Sequence, residues 1–100
     1  MSLTSNPSAD GNTLTIRMPD RFDFNVYSAL RTAYRDTKQF AAYIIDMAET
    51  SYMDSSALGM LLQIKEFAGG DSPSVRIRNA KPGIKDILRI ANFEKLMTIE

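Results

Sequence analysis

The chain is 100 residues long, 44% hydrophobic and 24% charged, the composition of one soluble domain large enough to close a single core. Lys plus Arg is 12 and Asp plus Glu is 12, so the basic excess that neutralises a run of phosphates is missing and nucleic acid is not an expected partner. With no Cys and no His, the sequence excludes disulfides, thiol nucleophiles, imidazole bases and soft or nitrogen-ligand zinc sites, and it suggests no cofactor.

The opening MSLTSNPSADGN is polar and lacks the basic flank and apolar centre of a signal peptide. Residues 1–11 therefore read as a flexible tail, with Met1, Ser2 and Leu3 as a cloning remnant, and residues 12–100 as the folded domain. No apolar run reaches the roughly 18 residues of a membrane span, so no membrane insertion is expected and a cytoplasmic location is the default. In TLTIRM, Leu14, Ile16 and Met18 alternate with polar neighbours, the period of a half-buried strand. PDRFDF follows, where Pro19 and Asp20 turn the chain and Phe22 enters a second short strand. Val26, Leu30 and Ala33 then recur at i, i+4 and i+7 together with Tyr27 and Tyr34. That periodicity predicts a helix to about Lys38, capped by Asp23 or Asn25.

AAYIIDM is short, apolar and rich in β-branched residues, which predicts a strand buried on both faces. A helix from Asp54 to about Phe67 follows, with Ala57, Leu58, Leu61, Ile64 and Ala68 inward and Met60 and Leu62 on its two margins. It closes at GGDSP, where a glycine takes a left-handed cap. SVRIRN alternates as a strand, KPGIKDILRIA is a helix with Pro82 in its first turn, and KLMTI supplies a last short strand. The order β-β-α-β-α-β-α-β predicts a single α/β domain, a mixed and largely parallel sheet joined by right-handed crossovers. Tyr27, Tyr34 and Tyr43 fall on apolar faces and read as core or rim, whereas Tyr52 reads as partly exposed.

The chemistry concentrates in YMDSSALGML, where a carboxylate and two hydroxyls precede an apolar helix. Capping accounts for one of the three: a side-chain oxygen accepts a free N–H and stabilises the first turn by about 1 kcal/mol. A hydroxyl left over at a helix start is a phosphorylation site in waiting, because a phosphoryl group adds about −1.5 to −2 charges that the positive end of the helix dipole tolerates. Such a charge would alter binding without unfolding the domain. Gly59, which costs about 1 kcal/mol relative to Ala inside a helix, points to a close approach there.

The run IIDMAETSYMDSSALGMLL resembles the core motif of STAS domains of the anti-sigma factor antagonist type. Their pattern is an apolar strand, an eight-residue step to a hydrophobic-Asp-Ser-[Ser/Thr]-Gly-Leu-Gly turn, and an apolar helix; here Asp46 and Asp54 stand at that step, and Asp54-Ser55-Ser56-Ala57-Leu58-Gly59 fills the turn. LTIRMPDRFDF is similar to the family's opening hairpin. The resemblance implies a STAS fold and a partner switch: binding to an anti-sigma factor with serine kinase activity, release on serine phosphorylation, and reversal by a PP2C-type phosphatase. It implies Ser55 as the phosphorylated residue, with Ser56 as the fallback. Asp23, Tyr52, Met53, Asp54, Ser56, Met60 and Leu62 are the expected partner-binding residues. Ala57 departs from the usual glycine, Asp20 stands where many members carry glycine, and the chain ends where the family's usual C-terminal helix would begin. That last departure leaves one sheet face less covered and raises a homodimer through exposed apolar surface as an expectation.

Three other readings compete. A Ser enzyme lacks a base, since His is absent and Lys65 lies on the wrong helical turn to reach Ser55. A receiver-like domain phosphorylated on Asp46 lacks the expected acidic pair, and Asp46 reads rather as a strand-end cap or surface carboxylate. A STAS adaptor subunit of a transport ATPase or other signalling complex needs no phosphorylatable serine, and the presence of Asp54-Ser55 favours the switch.

Overall fold

The computed structural model describes residues 3–36, 39–69 and 75–100. Its strands, in chain order, are β1 (Thr4–Pro7), β2 (Thr13–Arg17), β3 (Arg21–Phe22), β4 (Ala42–Asp46), β5 (Tyr52–Met53), β6 (Val75–Arg78) and β7 (Thr98–Ile99). Its helices are α1 (Tyr27–Arg35), α2 (Ser55–Phe67) and α3 (Pro82–Ile90), with short 3₁₀ turns at Phe24–Val26 and Phe93–Lys95. The main sheet has the order β1-β2-β4-β6-β7, parallel except for β1, and β3 pairs with β5 in a separate two-stranded ribbon. The α/β class and mixed, mostly parallel sheet agree with the expectation.

Each crossover, through α1, α2 and α3 in turn, steps one strand further in the same direction. Right-handed crossovers that all step the same way put every helix on the same side of the sheet. Burial follows that rule. Leu14, Ile16, Tyr43, Ile45, Val75 and Ile77 face the helices and none is more than 3% exposed. On the opposite pleat Thr13, Thr15, Ala42, Ile44 and Arg78 are only half-buried, and Arg17 and Arg76 are exposed. β4 is therefore covered on one face, not on both. The open face is also polar rather than apolar: Arg17 pairs with Asp46 and Glu49, and Arg76 and Arg78 both pair with Glu100. The apolar surface invoked for a homodimer does not lie there.

Two further expectations are corrected at the N-terminal end. Residues 4–7, read from sequence as loose tail, form an edge strand in register with β2, Thr4 opposite Arg17 and Pro7 opposite Leu14. Its four residues are all exposed and pair with β2, so they carry no alternation to read. The opening hairpin is thus β1–β2. The segment LTIRMPDRFDF does not fold back on itself, because β3 turns away from β2 to pair with β5.

α1 ends at Arg35, with Asp36 as its C-cap; Lys38, the expected end, lies outside the described residues. After α2, Gly69 adopts a positive φ of 112°, as the glycine cap requires; the following Gly70 to Pro73 lie outside the described residues. Within α2, Ala57, Leu61 and Ile64 point inward as expected, but Met60 joins them at 4% exposure while Leu58 and Ala68 are half-buried. A Cβ at Gly59 would meet nothing within 4 Å, so no close approach inside the domain explains the glycine. Gly59→Ala is therefore expected to stabilise the isolated domain by about 0.5–1 kcal/mol in urea unfolding, since it removes only a helix penalty. A destabilised variant would reveal a contact that this fold lacks.

Candidate functional site

Parallel strands joined by helical crossovers send the N-termini of α1, α2 and α3 to the end of the sheet where β2, β4 and β6 finish. Two loops meet at that end. Thr50, fully buried, donates its hydroxyl to the Pro19 carbonyl at 2.9 Å. The backbone N–H groups of Ser51 and Tyr52 both donate to the Asp20 carbonyl, at 2.9 and 3.2 Å, and the Ser51 hydroxyl donates to the Asp20 carboxylate. β3 and β5 extend this clasp, with Arg21 opposite Tyr52. The Arg21 guanidinium lies 4.2 Å from the centre of the Tyr52 ring and 3.5 Å from the Asp23 carboxylate. Sequence reasoning assigned no role to Thr50 or Ser51. A hydroxyl that bonds a backbone carbonyl 31 residues away leaves no local pattern.

The carboxylates of the site are caps. Asp23 closes the 3₁₀ turn ahead of α1 by accepting the Asn25 N–H at 3.0 Å. Asp54 is the N-cap of α2 and accepts three donors: the Ser56 hydroxyl at 2.6 Å and the Ser56 and Ala57 N–H groups at 3.1 and 3.3 Å. The Ser56 hydroxyl, above all, holds the Asp54 carboxyl below its ordinary value; burial opposes that shift, and the two backbone donors reinforce it.

This capping divides the labour between the two serines. Ser56 is half-buried and its hydroxyl is committed to Asp54. Ser55, the first residue of the helix, is exposed, and no hydrogen bond engages its hydroxyl among the described residues. Ser55, Gly59 and Leu62 follow at i, i+4 and i+7 on the solvent face of α2, all exposed. Tyr52 is 40% exposed beside them. Met53 and Met60 are only 5% and 4% exposed and pack with the core, so Met60 does not lie on the exposed margin of α2. Asp23, although 9% exposed, reaches the site surface through Arg21.

Asp46, the acceptor of the receiver-like reading, is only 8% exposed rather than on the surface. Its carboxylate accepts the Ala48 N–H at 3.0 Å and the Asn79 amide at 3.2 Å, and it pairs with Arg17 at 3.5 Å. Burial pushes this carboxyl up, but the Ala48, Asn79 and Arg17 contacts together outweigh it and leave the net value lowered. Both oxygens are in use, so Asp46 ties β2, β4 and the loop after β6 together.

The lowered values of Asp46 and Asp54 fix a pH dependence. A carboxyl that is more acidic folded than unfolded stabilises the fold fully above its unfolded value of about 4, and that stability drains away as pH falls through the folded value. With no His in the chain, no imidazole titrates near neutrality. Thermal unfolding followed by circular dichroism should give a Tm that is level above about pH 5 and drops below about pH 4. A maximum below pH 4 would contradict these assignments.

Comparison with known proteins supplies the family and the fold. The family described as Mlab, STAS domain, matches residues 5–98. The chain belongs to the STAS domain family. A STAS-domain containing protein of Pseudomonas aeruginosa (strain UCBPP-PA14) is 43% identical over 100 residues, covering 99% of each chain. Among solved structures, the anti-sigma factor antagonist SpoIIAA in its unphosphorylated form superposes with a TM-score of 0.76 at 16% identity, over 99% of this chain and 87% of that one. The phosphorylated form of SpoIIAA, a Bacillus cell fate determinant, gives 0.68 at 16% identity over 99% and 91%. An anti-sigma factor antagonist from Mycobacterium paratuberculosis gives 0.76 at 15% identity over 98% and 85%. This STAS domain therefore has the SpoIIAA-like fold. No helix among its described residues is long and apolar enough to cross a membrane.

Proposed function

We propose that this STAS domain is a cytoplasmic, non-catalytic anti-sigma factor antagonist that works by partner switching. Unphosphorylated, it binds an anti-sigma factor with serine kinase activity through the surface around Asp23, Tyr52, Ser55 and Leu62. Phosphorylation of Ser55 by that partner ends the complex, and a PP2C-type phosphatase restores it. The observation that carries the reading is the state of Ser55: exposed, at the helix start, and relieved of capping by Asp54. A phosphate there adds about −1.5 to −2 charges to a surface that already holds the capping carboxylates of Asp23 and Asp54, while the helix dipole keeps the added charge compatible with the fold. SpoIIAA, which shares the fold, is known in both phosphorylated and unphosphorylated forms. An adaptor of a transport ATPase gains nothing from a hydroxyl kept free of structural duty.

The test is recovery of the protein from its native cells, followed by phosphopeptide mapping and identification of what co-purifies. Phosphate on Ser55, with a serine kinase bound only to the unphosphorylated fraction, is the expected result. Phosphate on Ser56, or an unmodified chain attached to a transport ATPase, would overturn it.

A further inference from the structure

We propose that the solvent face of α1 is a second docking site, one that takes an acidic segment of a partner protein. The pairing of the arginines singles it out. Arg17, Arg21, Arg76, Arg78 and Arg89 each pair with a carboxylate. The remaining arginines, Arg31 and Arg35, pair with none among the described residues. Both are exposed on α1, which contains no acidic residue. Each lies instead against an aromatic ring. The Arg31 guanidinium is 5.8 Å from the centre of the Tyr27 ring and donates to its hydroxyl at 3.4 Å; that of Arg35 is 5.6 Å from the centre of the Phe67 ring. Arg35 stands in the last turn, where the helix dipole favours a cation, but Arg31 has no such duty.

Tyr27 is half-buried and packs on the core, and Phe24 stacks on its ring at 5.3 Å with the planes 11° apart. Phe24 is itself 67% exposed, more than any other aromatic side chain among the described residues. A cleft of about 300 Å³ opens on this face, lined by Tyr27, Ser28, Arg31, Thr32, Arg35 and Asp36. Two guanidinium forks and three hydroxyls thus meet a single carboxylate, Asp36, which follows the helix. The helical rise sets Arg31 and Arg35 about 6 Å apart along the axis. Alternate side chains of an extended segment share one side and stand about 7 Å apart. A Glu-X-Glu run can therefore meet both forks, while an apolar residue beyond it covers Phe24. The rings hold the guanidinium groups beforehand, which lowers the ordering cost of binding. None of these residues belongs to the surface assigned to Ser55, so the site does not depend on the phosphorylation reading.

The test uses the full chain, isotopically labelled for NMR, and two short synthetic peptides. Both carry one Phe; one has Glu and the other Lys at alternate positions. The Glu peptide should shift the amide resonances of Ser28, Arg31 and Arg35 and bind at least about fivefold tighter than the Lys peptide. Raising the salt from about 0.05 M to 0.5 M should weaken it several-fold. Arg31→Gln combined with Arg35→Gln should weaken the Glu peptide about tenfold, and Phe24→Ala about threefold, each with the Tm moved by no more than about 3 °C because the side chains are exposed. The proposal is overturned if the Glu peptide does not bind at about 1 mM, if the Lys peptide binds as well, or if the double variant keeps wild-type affinity. Shifts confined to other faces would overturn it too, as would tighter binding of the same arginines to phosphatidylglycerol vesicles or a short RNA. No step of this assay engages Ser55, so its failure and failure of the switch are separate results.

Discussion

Ser55→Asp is expected to weaken binding of the switching partner by about a hundredfold or more while moving the Tm by no more than about 3 °C. The two halves of that result have separate causes. A carboxylate at the first position of α2 faces the positive end of the helix dipole, and Asp54 remains in place as the cap, so the fold loses nothing. Binding suffers because the new charge must be desolvated beside the Asp54 carboxylate when a partner covers it. Ser55→Ala should bind constitutively and resist the kinase. Wild-type affinity in the Asp variant, measured by calorimetry, would sink the switch; a collapse in Tm would mean that the serine is chiefly structural. Ser56 supplies the internal control, since Ser56→Ala removes the hydroxyl donor to Asp54 and should cost stability without making binding constitutive.

Asp46→Ala should be the most damaging single change at this end of the molecule, costing about 3 kcal/mol and lowering the Tm by about 15 °C. The carboxylate is nearly covered and holds the Ala48 N–H, the Asn79 amide and Arg17 at once. Most of the loss comes from the two hydrogen bonds to a charged acceptor. Arg17 is 54% exposed and contributes little through water. Asp46→Asn should recover more than half, because an amide oxygen still accepts from Ala48. Equal losses in the two variants, measured by urea unfolding, would show that the charge and not the hydrogen bonding matters. Neither variant should alter phosphorylation of Ser55 at temperatures where it is folded.

Much of this fold is written in local patterns, and the parts that are not share a cause. β2 and β6 alternate cleanly because one face of each is covered, and Asp54 announces the start of α2 because a cap must sit directly before its helix. β1 is invisible in sequence because an exposed edge strand needs only backbone pairing. β3 and β5, two residues each, are too short to show a period. The inward side of α2 departs from its apolar periodicity at Met60 and Leu58 because the run from Ala57 to Ile64 is apolar almost all round, and such a run does not fix the centre of its buried arc. A hydroxyl at the start of α2 is legible in the sequence, but which of Ser55 and Ser56 stays exposed is not: that rests on which hydroxyl turns toward Asp54.

The bond from Thr50 to Pro19 and the paired bonds from Ser51 and Tyr52 to Asp20 are complete without any visitor. The doorway to α2 is thus assembled beforehand, and little ordering entropy is lost when a second protein arrives. Encounter should then be quick and much the same for every competitor, so the lifetime of each complex, rather than the speed of its formation, would decide which one prevails.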